Sequence, residues 1–216
     1  MYHSIGDNRE FGNISPARFE RDLRVLSSKY TVINLSRPIQ EWQDASRPRV
    51  AITFDDGFSN FYKYAVPLLR KYEIPATVFI VSGTLDNTKT NLETDRTMNR
   101  AQLKELVDDD LITIGNHTRT HPELPTLSSE RQVREEIVGA KENLESILGT
   151  DIDLFAYPYG EFDERAVAAV RDTHRAAVAT IPEPWKPSDN IHQLPRISAH
   201  NARIQLHWAL KDLELR

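Results

Sequence analysis

Short apolar runs and segments of helical periodicity alternate along the chain. Continuous runs of apolar and β-branched residues predict buried strands, whereas apolar residues three or four positions apart predict amphipathic helices. The predicted strands are 1–5, 30–35, 50–54, 76–81, 111–115, 154–157, 176–180 and 193–197. The predicted helices are about 16–29, 60–72, 99–107, 128–148, 163–172 and 202–213, with a further short helical turn near Trp42.

This alternation of strand and helix repeats about seven times, and no internal repeat, low-complexity tract or linker interrupts it. It favours a single α/β domain with a mainly parallel sheet or barrel. In a parallel barrel, the side chains that carry out chemistry lie at the carboxyl ends of the strands. The positions of the polar clusters relative to the predicted strand ends therefore become informative.

Composition narrows the classes of partner. The 216-residue chain has 27 basic and 32 acidic residues, a formal charge of −5 and no basic patch, so nucleic acid is not expected. No apolar run approaches the roughly 20 residues needed to span a bilayer. Residues 1–3 lack the start of a secretory leader, so we expect a cytoplasmic location; a chain trimmed of an export signal would have the same sequence.

Polar clusters follow several predicted strands. Asp55 and Asp56 end the strand 50–54, and because neighbouring carboxylates repel, a fold normally gives them different partners. His117 and His121 follow 111–115 at a spacing that a helical turn or a tight loop would bring to one face. Taken singly, a solvated turn and a pair of surface histidines explain these clusters equally well.

The absence of cysteine defines which side chains are available for a metal. Disulfides and thiolate ligands are excluded, so a metal site must use histidine, aspartate or glutamate. Two imidazoles and one carboxylate would leave an open position for water on a zinc ion. The clusters at Asp56, His117 and His121 offer this ligand set.

Taken together, the clusters resemble a known family. The segments TFDDG at 53–57, H-T-x-x-H at 117–121 and F-x-Y-P-Y-G at 155–160 are similar to the motifs of polysaccharide deacetylases, the NodB-homology or carbohydrate esterase 4 group. Residues 1–5 and 194–197 resemble its poly-N-acetylglucosamine deacetylase branch. The resemblance implies a distorted (β/α)7-type barrel, with 1–216 forming one catalytic domain that removes N-acetyl groups from N-acetylglucosamine-type sugars or polysaccharide by attack of metal-bound water.

The same resemblance assigns roles to individual residues. It implies that Asp56, His117 and His121 bind a divalent metal, with zinc expected. Asp55 corresponds to the general base, and Tyr159 to the residue whose backbone N–H helps to stabilise the oxyanion. An N-acetylated oligo- or polysaccharide is then the expected partner, and no oligomeric state is predicted.

The general acid and the partner of the base are less regular. In the poly-N-acetylglucosamine branch the acid is a histidine of the first strand, which corresponds to His3; His207 superficially matches the late motif of other members. The family's arginine before the Pro-Tyr-Gly turn is Ala156 here. Arg196 is a candidate replacement from a neighbouring strand, the alternative being an ordinary surface arginine. Trp185 is expected either to stack on a sugar or to cover the core.

Two other functions remain open at this point. Related barrels act on small amides, so an amidase or O-deacetylase on a non-polysaccharide substrate is one alternative. A non-catalytic carbohydrate-binding relative is the other, although all five positions of the family's catalytic set are filled. Measured release of acetate from different substrates distinguishes the three possibilities.

Overall fold

The computed structural model describes residues 1–6, 13–38, 41, 47–86 and 97–200. The strands in these ranges are β1 (Ser4–Ile5), β2 (Asn13–Ile14), β3 (Thr31–Ile33), β4 (Arg49–Ala51), β5 (Thr53–Phe54), β6 (Ala76–Ile80), β7 (Ile112–Asn116), β8 (Leu154–Ala156) and β9 (Ala176–Val178). The α-helices are α1 (Pro16–Lys29), α2 (Val66–Tyr72), α3 (Arg100–Val107), α4 (Glu130–Leu148) and α5 (Glu164–Thr173).

Five parallel strands form the main sheet in the order β5-β6-β7-β8-β9. Each strand follows its neighbour in the sequence, and helices fill the crossovers after β6, β7 and β8, as parallel pairing requires. Two smaller parallel pairs, β1 with β2 and β3 with β4, extend the structure. The sheet is curled into part of a barrel, which confirms the predicted α/β fold of the distorted barrel type.

The open edges of the curled sheet are joined by the two end segments of the described chain. Edge strand β9 is bridged to Leu194. Further along, the Ala199 N–H donates to the Met1 carbonyl oxygen at 2.8 Å. Tyr2 then bridges Phe54 in β5, and this closes the ring. We call this junction the seam; it rests on isolated pairs instead of a continuous ladder.

Side chains alternate between the two faces of the sheet and build separate cores. One cluster fills the barrel interior and includes Phe79, Leu154, Ala156, Val178 and Leu194. Outside the barrel, α1, α2 and α3 pack on β5, β6 and β7, while α4 and α5 pack on β8 and β9. Trp185 is half-buried against the interior cluster, so the structure favours its core-covering role.

Local signals define several helix ends as the sequence predicts. The Ser15 hydroxyl accepts from the Arg18 N–H before α1, and Pro16 occupies the first turn. Helix α4 is capped by Ser129 and stops at Gly149, whose φ of 70° is easy for glycine. Within the described residues, no helix is both long and apolar enough to cross a membrane.

Three element predictions need correction. Residues 193–197 do not form a strand, because Pro195 lacks the N–H that a ladder needs and only Leu194 forms a bridge. The segment predicted as helix 60–72 begins with a π-helical turn, Phe61–Ala65, and Pro67 lies in the first turn of α2. In the first predicted strand, only Ser4–Ile5 is a strand.

Two other predictions, the turn near Trp42 and the helix 202–213 that contains His207, lie outside the described residues.

Candidate active site

Asp55 follows β5 directly and is paired with an arginine from the seam. The Arg196 guanidinium forms two hydrogen bonds with this carboxylate, Nη1 to Oδ1 at 2.6 Å and Nη2 to Oδ2 at 2.7 Å. Arg196 also donates to the Thr53 hydroxyl at 3.3 Å and to the Ala179 carbonyl oxygen at 3.2 Å. Asp55 is 4% exposed and Arg196 is 7% exposed, so Arg196 is a buried partner and not a surface residue.

This pairing controls the charge of Asp55. Burial alone would raise the pKa of this carboxyl, but the adjacent Arg196 guanidinium outweighs burial and holds the pKa below its ordinary value. The charges of His117 and His3 act in the same direction as Arg196. Asp55 is therefore an ionised, oriented hydrogen-bond acceptor at neutral pH.

Asp56, the next residue, belongs to a different group. Its Oδ1 lies 3.5 Å from His117 Nε2 and 3.4 Å from His121 Nε2. One atom from each of these three buried residues lies within 4.8 Å of the other two. The histidines follow β7 in a tight loop, one of the two arrangements that their spacing allows. Two adjacent carboxylates thus have separate surroundings, as their mutual repulsion predicts.

The hydrogen bonds of His117 define how its ring is presented. Its Nδ1 lies 2.7 Å from the Ala156 carbonyl oxygen. Because a carbonyl oxygen can only accept, Nδ1 carries a proton and Nε2 faces Asp56. Metal-binding histidines commonly have their second nitrogen fixed by a carbonyl or carboxylate in this way.

The two imidazoles differ in their proton affinity. Burial lowers the pKa of His117, but its hydrogen bond to Asp56 and the nearby Asp55 charge outweigh burial, so the net pKa is raised. Burial, together with the charge of His117, lowers the pKa of His121 to about 4. The cluster therefore attracts one positive charge to the face of Asp56, and that is the position a cation would occupy.

Unusual backbone conformations are concentrated here. Among the described non-glycine residues, five have positive φ, and four of these belong to the site: Asp56 at 73°, Thr118 at 68°, His121 at 60° and Tyr159 at 59°. Such conformations cost roughly 1–3 kcal/mol each and persist only where surrounding contacts impose them. Their concentration at one place is typical of a functional site.

His3 and Tyr159 complete the group. The pairing of Tyr2 with Phe54 sets His3 beside Asp55 in the parallel register. The charge of His3 also contributes to the lowered pKa of His121, after the larger effects of burial and His117. The Tyr159 ring meets the His121 ring edge-on with centroids 4.6 Å apart, and the tyrosine is 55% exposed.

The structure thus gathers all the site residues predicted from sequence at one end of the barrel: His3, Asp55, Asp56, His117, His121, Tyr159 and Arg196.

Three residues that were assigned no role from sequence support the loop of residues 117–121. Asn116 Oδ1 accepts from the Thr118 N–H at 3.0 Å, and Asn116 Nδ2 lies 3.1 Å from His174 Nε2. Glu136 of α4 accepts hydrogen bonds from the same loop. The position of Asn116 beside His117 was the one available signal, because Glu136 is one of many acidic residues on its helix and His174 lies far along the chain.

The donor set is suited to a divalent cation. Asp56, His117 and His121 supply one oxygen and two nitrogens, the ligand types and number found in catalytic zinc sites. The Ala156 carbonyl fixes one imidazole in the ligating orientation. A parallel α/β barrel with such a cluster beside an arginine-held carboxylate at the strand ends is the arrangement typical of metal-assisted hydrolases.

The family itself is shown by comparison with known proteins. The chain belongs to the polysaccharide deacetylase family, whose model matches residues 43–178, more than half of the chain. The matched region contains Asp55, Asp56, His117, His121 and Tyr159. His3 and Arg196 lie outside it.

Two curated relatives and one solved structure extend this result. The chain is 26% identical over 202 residues to a putative polysaccharide deacetylase, YxkH, of Bacillus subtilis, which covers 91% of this chain and 69% of the relative. It is 24% identical to a poly-β-1,6-N-acetyl-D-glucosamine N-deacetylase of Staphylococcus aureus, covering 86% and 67%. The chain spans only about half the length of some other relatives, 52% and 48%.

The fold of this chain also resembles that of IcaB from Ammonifex degensii, with a TM-score of 0.84, 23% identity, and coverage of 96% of this chain and 94% of the other.

Proposed function

We propose that this chain removes N-acetyl groups from an N-acetylglucosamine-containing oligo- or polysaccharide, in a hydrolysis that depends on a divalent cation, with zinc the first choice. Residues 1–216 would act as one catalytic domain. The observation that carries the proposal is the contrast between neighbouring carboxylates: Asp55 is held by Arg196, and Asp56 faces two imidazoles. Membership of the polysaccharide deacetylase family supports the reaction class.

In this proposal Asp56, His117 and His121 hold the cation. When bound, a divalent cation supplies Lewis acidity, which acidifies water and stabilises negative charge on oxygen. The buried position of the three residues favours binding, because electrostatic attraction is screened less there than on the surface. The hydrogen bond from His117 Nδ1 to Ala156 keeps the opposite nitrogen available as a ligand.

Asp55 is the proposed general base. Both of its oxygens are fixed by Arg196, so its position is defined, and its lowered pKa keeps it ionised at neutral pH. It would accept the proton of the attacking water as that water adds to the acetamide carbonyl carbon. The Tyr159 backbone N–H would donate to the oxyanion that forms.

His3 is the proposed general acid. Protonated His3 would deliver its proton to the sugar nitrogen as the C–N bond breaks, so that the amine leaves in neutral form. Water and the acetamide are consumed, and acetate and a glucosamine unit are formed. The position of His3 beside Asp55 supports this role, since acid and base must reach the same amide.

The test is acetate release from N-acetylglucosamine oligomers, including β-1,6-linked ones because of the S. aureus relative. We expect release by zinc-loaded protein, loss after chelation, and recovery when zinc is restored. Small N-acetyl amides and O-acetylated sugars are assayed in parallel. Release from those compounds but not from oligomers would move the substrate to the small-molecule class; binding of oligomers without release from any substrate would indicate a non-catalytic carbohydrate-binding protein.

A further inference from the structure

The loop of residues 117–121 has no regular secondary structure, yet its backbone donors are all satisfied. The His117 N–H donates to the Ile80 carbonyl oxygen at 2.9 Å. The Thr118 N–H donates to Asn116 Oδ1 at 3.0 Å, and the His121 N–H donates to Thr118 Oγ1 at 3.1 Å. Local side chains thus account for the two ends of the loop, and its centre needs another acceptor.

Glu136 supplies that acceptor from a different element. Its Oε2 accepts from the Arg119 N–H at 3.0 Å and from the Thr120 N–H at 2.8 Å. Its Oε1 accepts from the Thr120 hydroxyl at 2.7 Å. Hydrogen bonds to an ionised carboxylate are stronger than neutral ones, and three of them converge here on two adjacent loop residues.

The neighbouring residue of α4 holds the start of the same loop. The Ile137 carbonyl oxygen accepts from Asn116 Nδ2 at 2.8 Å. Consecutive residues of one helix therefore grip the loop on both sides of His117. Ile137 is fully buried in the core, so this turn of α4 is rigidly packed and Glu136 is attached to a fixed support.

The loop needs such support because of its backbone. Thr118 and His121 both have positive φ, a conformation that non-glycine residues keep only when contacts impose it. If the centre of the loop relaxed, the two imidazoles would lose their common orientation toward Asp56. A carboxylate that fixes Arg119 and Thr120 therefore acts on both histidines without touching either.

We propose that Glu136 is a positioning residue for the cation site, acting through the backbone of residues 119 and 120. The role rests on the proposed function of the Asp56, His117 and His121 cluster as a cation site. It does not depend on the sugar substrate. Glu136 fixes the loop before any cation arrives, so the ordering of the loop is not paid for on binding.

The test compares Glu136→Ala and Glu136→Gln with Glu135→Ala. Glu135 is the matched control: it is the adjacent residue of α4, removes the same charge, and pairs with Arg131 on the surface. Zinc affinity is measured by competition with a chromophoric chelator at fixed pH. We expect Glu136→Ala to bind zinc about 10–100-fold more weakly, as is usual when a supporting residue around a metal is lost.

Glu136→Gln should fall between Glu136→Ala and the wild type, because its carbonyl oxygen can still accept while its NH₂ group cannot. Glu135→Ala should bind zinc like the wild type. Equal zinc affinity in Glu136→Ala and wild type, or equal weakening in both alanine variants, would overturn the proposal.

A second readout separates this proposal from the proposed enzyme activity. Amide hydrogen exchange of cation-free protein should be faster at Arg119 and Thr120 in Glu136→Ala, with exchange in α5 unchanged. This result is expected even if the wild type releases no acetate. Unchanged exchange at residues 119 and 120 would show that Glu136 does not hold the loop.

Discussion

The two sides of the site are built in different ways. On one side, Asp56, His117 and His121 follow β5 and β7, which belong to the continuous five-stranded sheet. On the other side, His3 and Arg196 belong to the seam, where isolated bridges and single hydrogen bonds join distant parts of the chain. We refer to these as the sheet side and the seam side.

The difference teaches how the two proposed tasks depend on the fold. The sheet side uses local motifs on strands with an extensive ladder, including five paired positions between β6 and β7. The seam side depends on contacts across more than 140 residues, as between Arg196 and Asp55. We therefore expect damage to the seam to impair proton transfer while leaving cation binding largely intact.

The largest expected effect is the loss of the acid from the seam side. His3→Ala should lower kcat by about 10²–10⁴-fold, the usual contribution of a general acid or base, and zinc affinity should change little. His207→Ala serves as the comparison and should retain activity. Steady-state kinetics together with zinc titration give the answer. The opposite pattern of activities would assign the acid role to His207.

The next effect concerns the buried ion pair that joins the two sides. Arg196→Met leaves the Asp55 carboxylate buried and unpaired, so we expect a loss of about 3–5 kcal/mol in the free energy of unfolding. Arg134→Met removes an exposed pair with Asp172 and should cost at most about 1 kcal/mol. Urea unfolding measures both. Similar costs for the two variants would mean that the seam pair is not effectively buried.

Adding Asp55→Asn to Arg196→Met should recover part of that loss, since the uncompensated charge is then removed. A double variant that is less stable by the full sum of the single effects would argue against direct coupling of the two residues.

The smallest effect concerns the buried support of the sheet side. Burial, followed by the charges of Lys141 and His192, lowers the pKa of His174 to about 3 from the ordinary 6.5. Between these values the unfolded chain binds a proton that the folded protein does not, so stability decreases as pH falls below 6.5. The slope attributable to His174 is at most about 1.4 kcal/mol per pH unit.

His174→Gln removes this contribution and keeps an acceptor for Asn116, whose Nδ2 contacts the His174 ring. Unfolding free energies between pH 4 and pH 6 should therefore fall less steeply than in the wild type. Parallel pH dependences for the two proteins would show that His174 does not stay neutral in the fold.

The sequence was sufficient for the sheet side but only partly for the seam. Apolar runs and strand-end motifs predicted the alternation of elements, and the spacing of His117 and His121 predicted their convergence. The strand at 193–197 was wrong, because a continuous ladder was inferred where Pro195 permits only an isolated bridge. The bidentate contact of Arg196 with Asp55 could not be decided from periodicity, since it depends on closure of the ring.

The support of the loop was also beyond the sequence. Glu136 looks like the other acidic residues of α4, and only the packing of α4 beside β7 brings it to Arg119 and Thr120. His174 follows α5 and was indistinguishable from an ordinary buried histidine. Contacts between elements distant in the chain, which local patterns do not encode, determined both roles.

The separate tasks of the two neighbouring carboxylates are tested most directly by measuring zinc content and acetate release together in Asp55→Asn and Asp56→Asn. Both variants should lose acetate release by about 10²-fold or more. We predict that Asp55→Asn still binds zinc with an affinity close to that of the wild type, and that Asp56→Asn binds it much more weakly. Equal zinc binding in the two variants, whether retained or lost, would contradict the assignment of base and ligand.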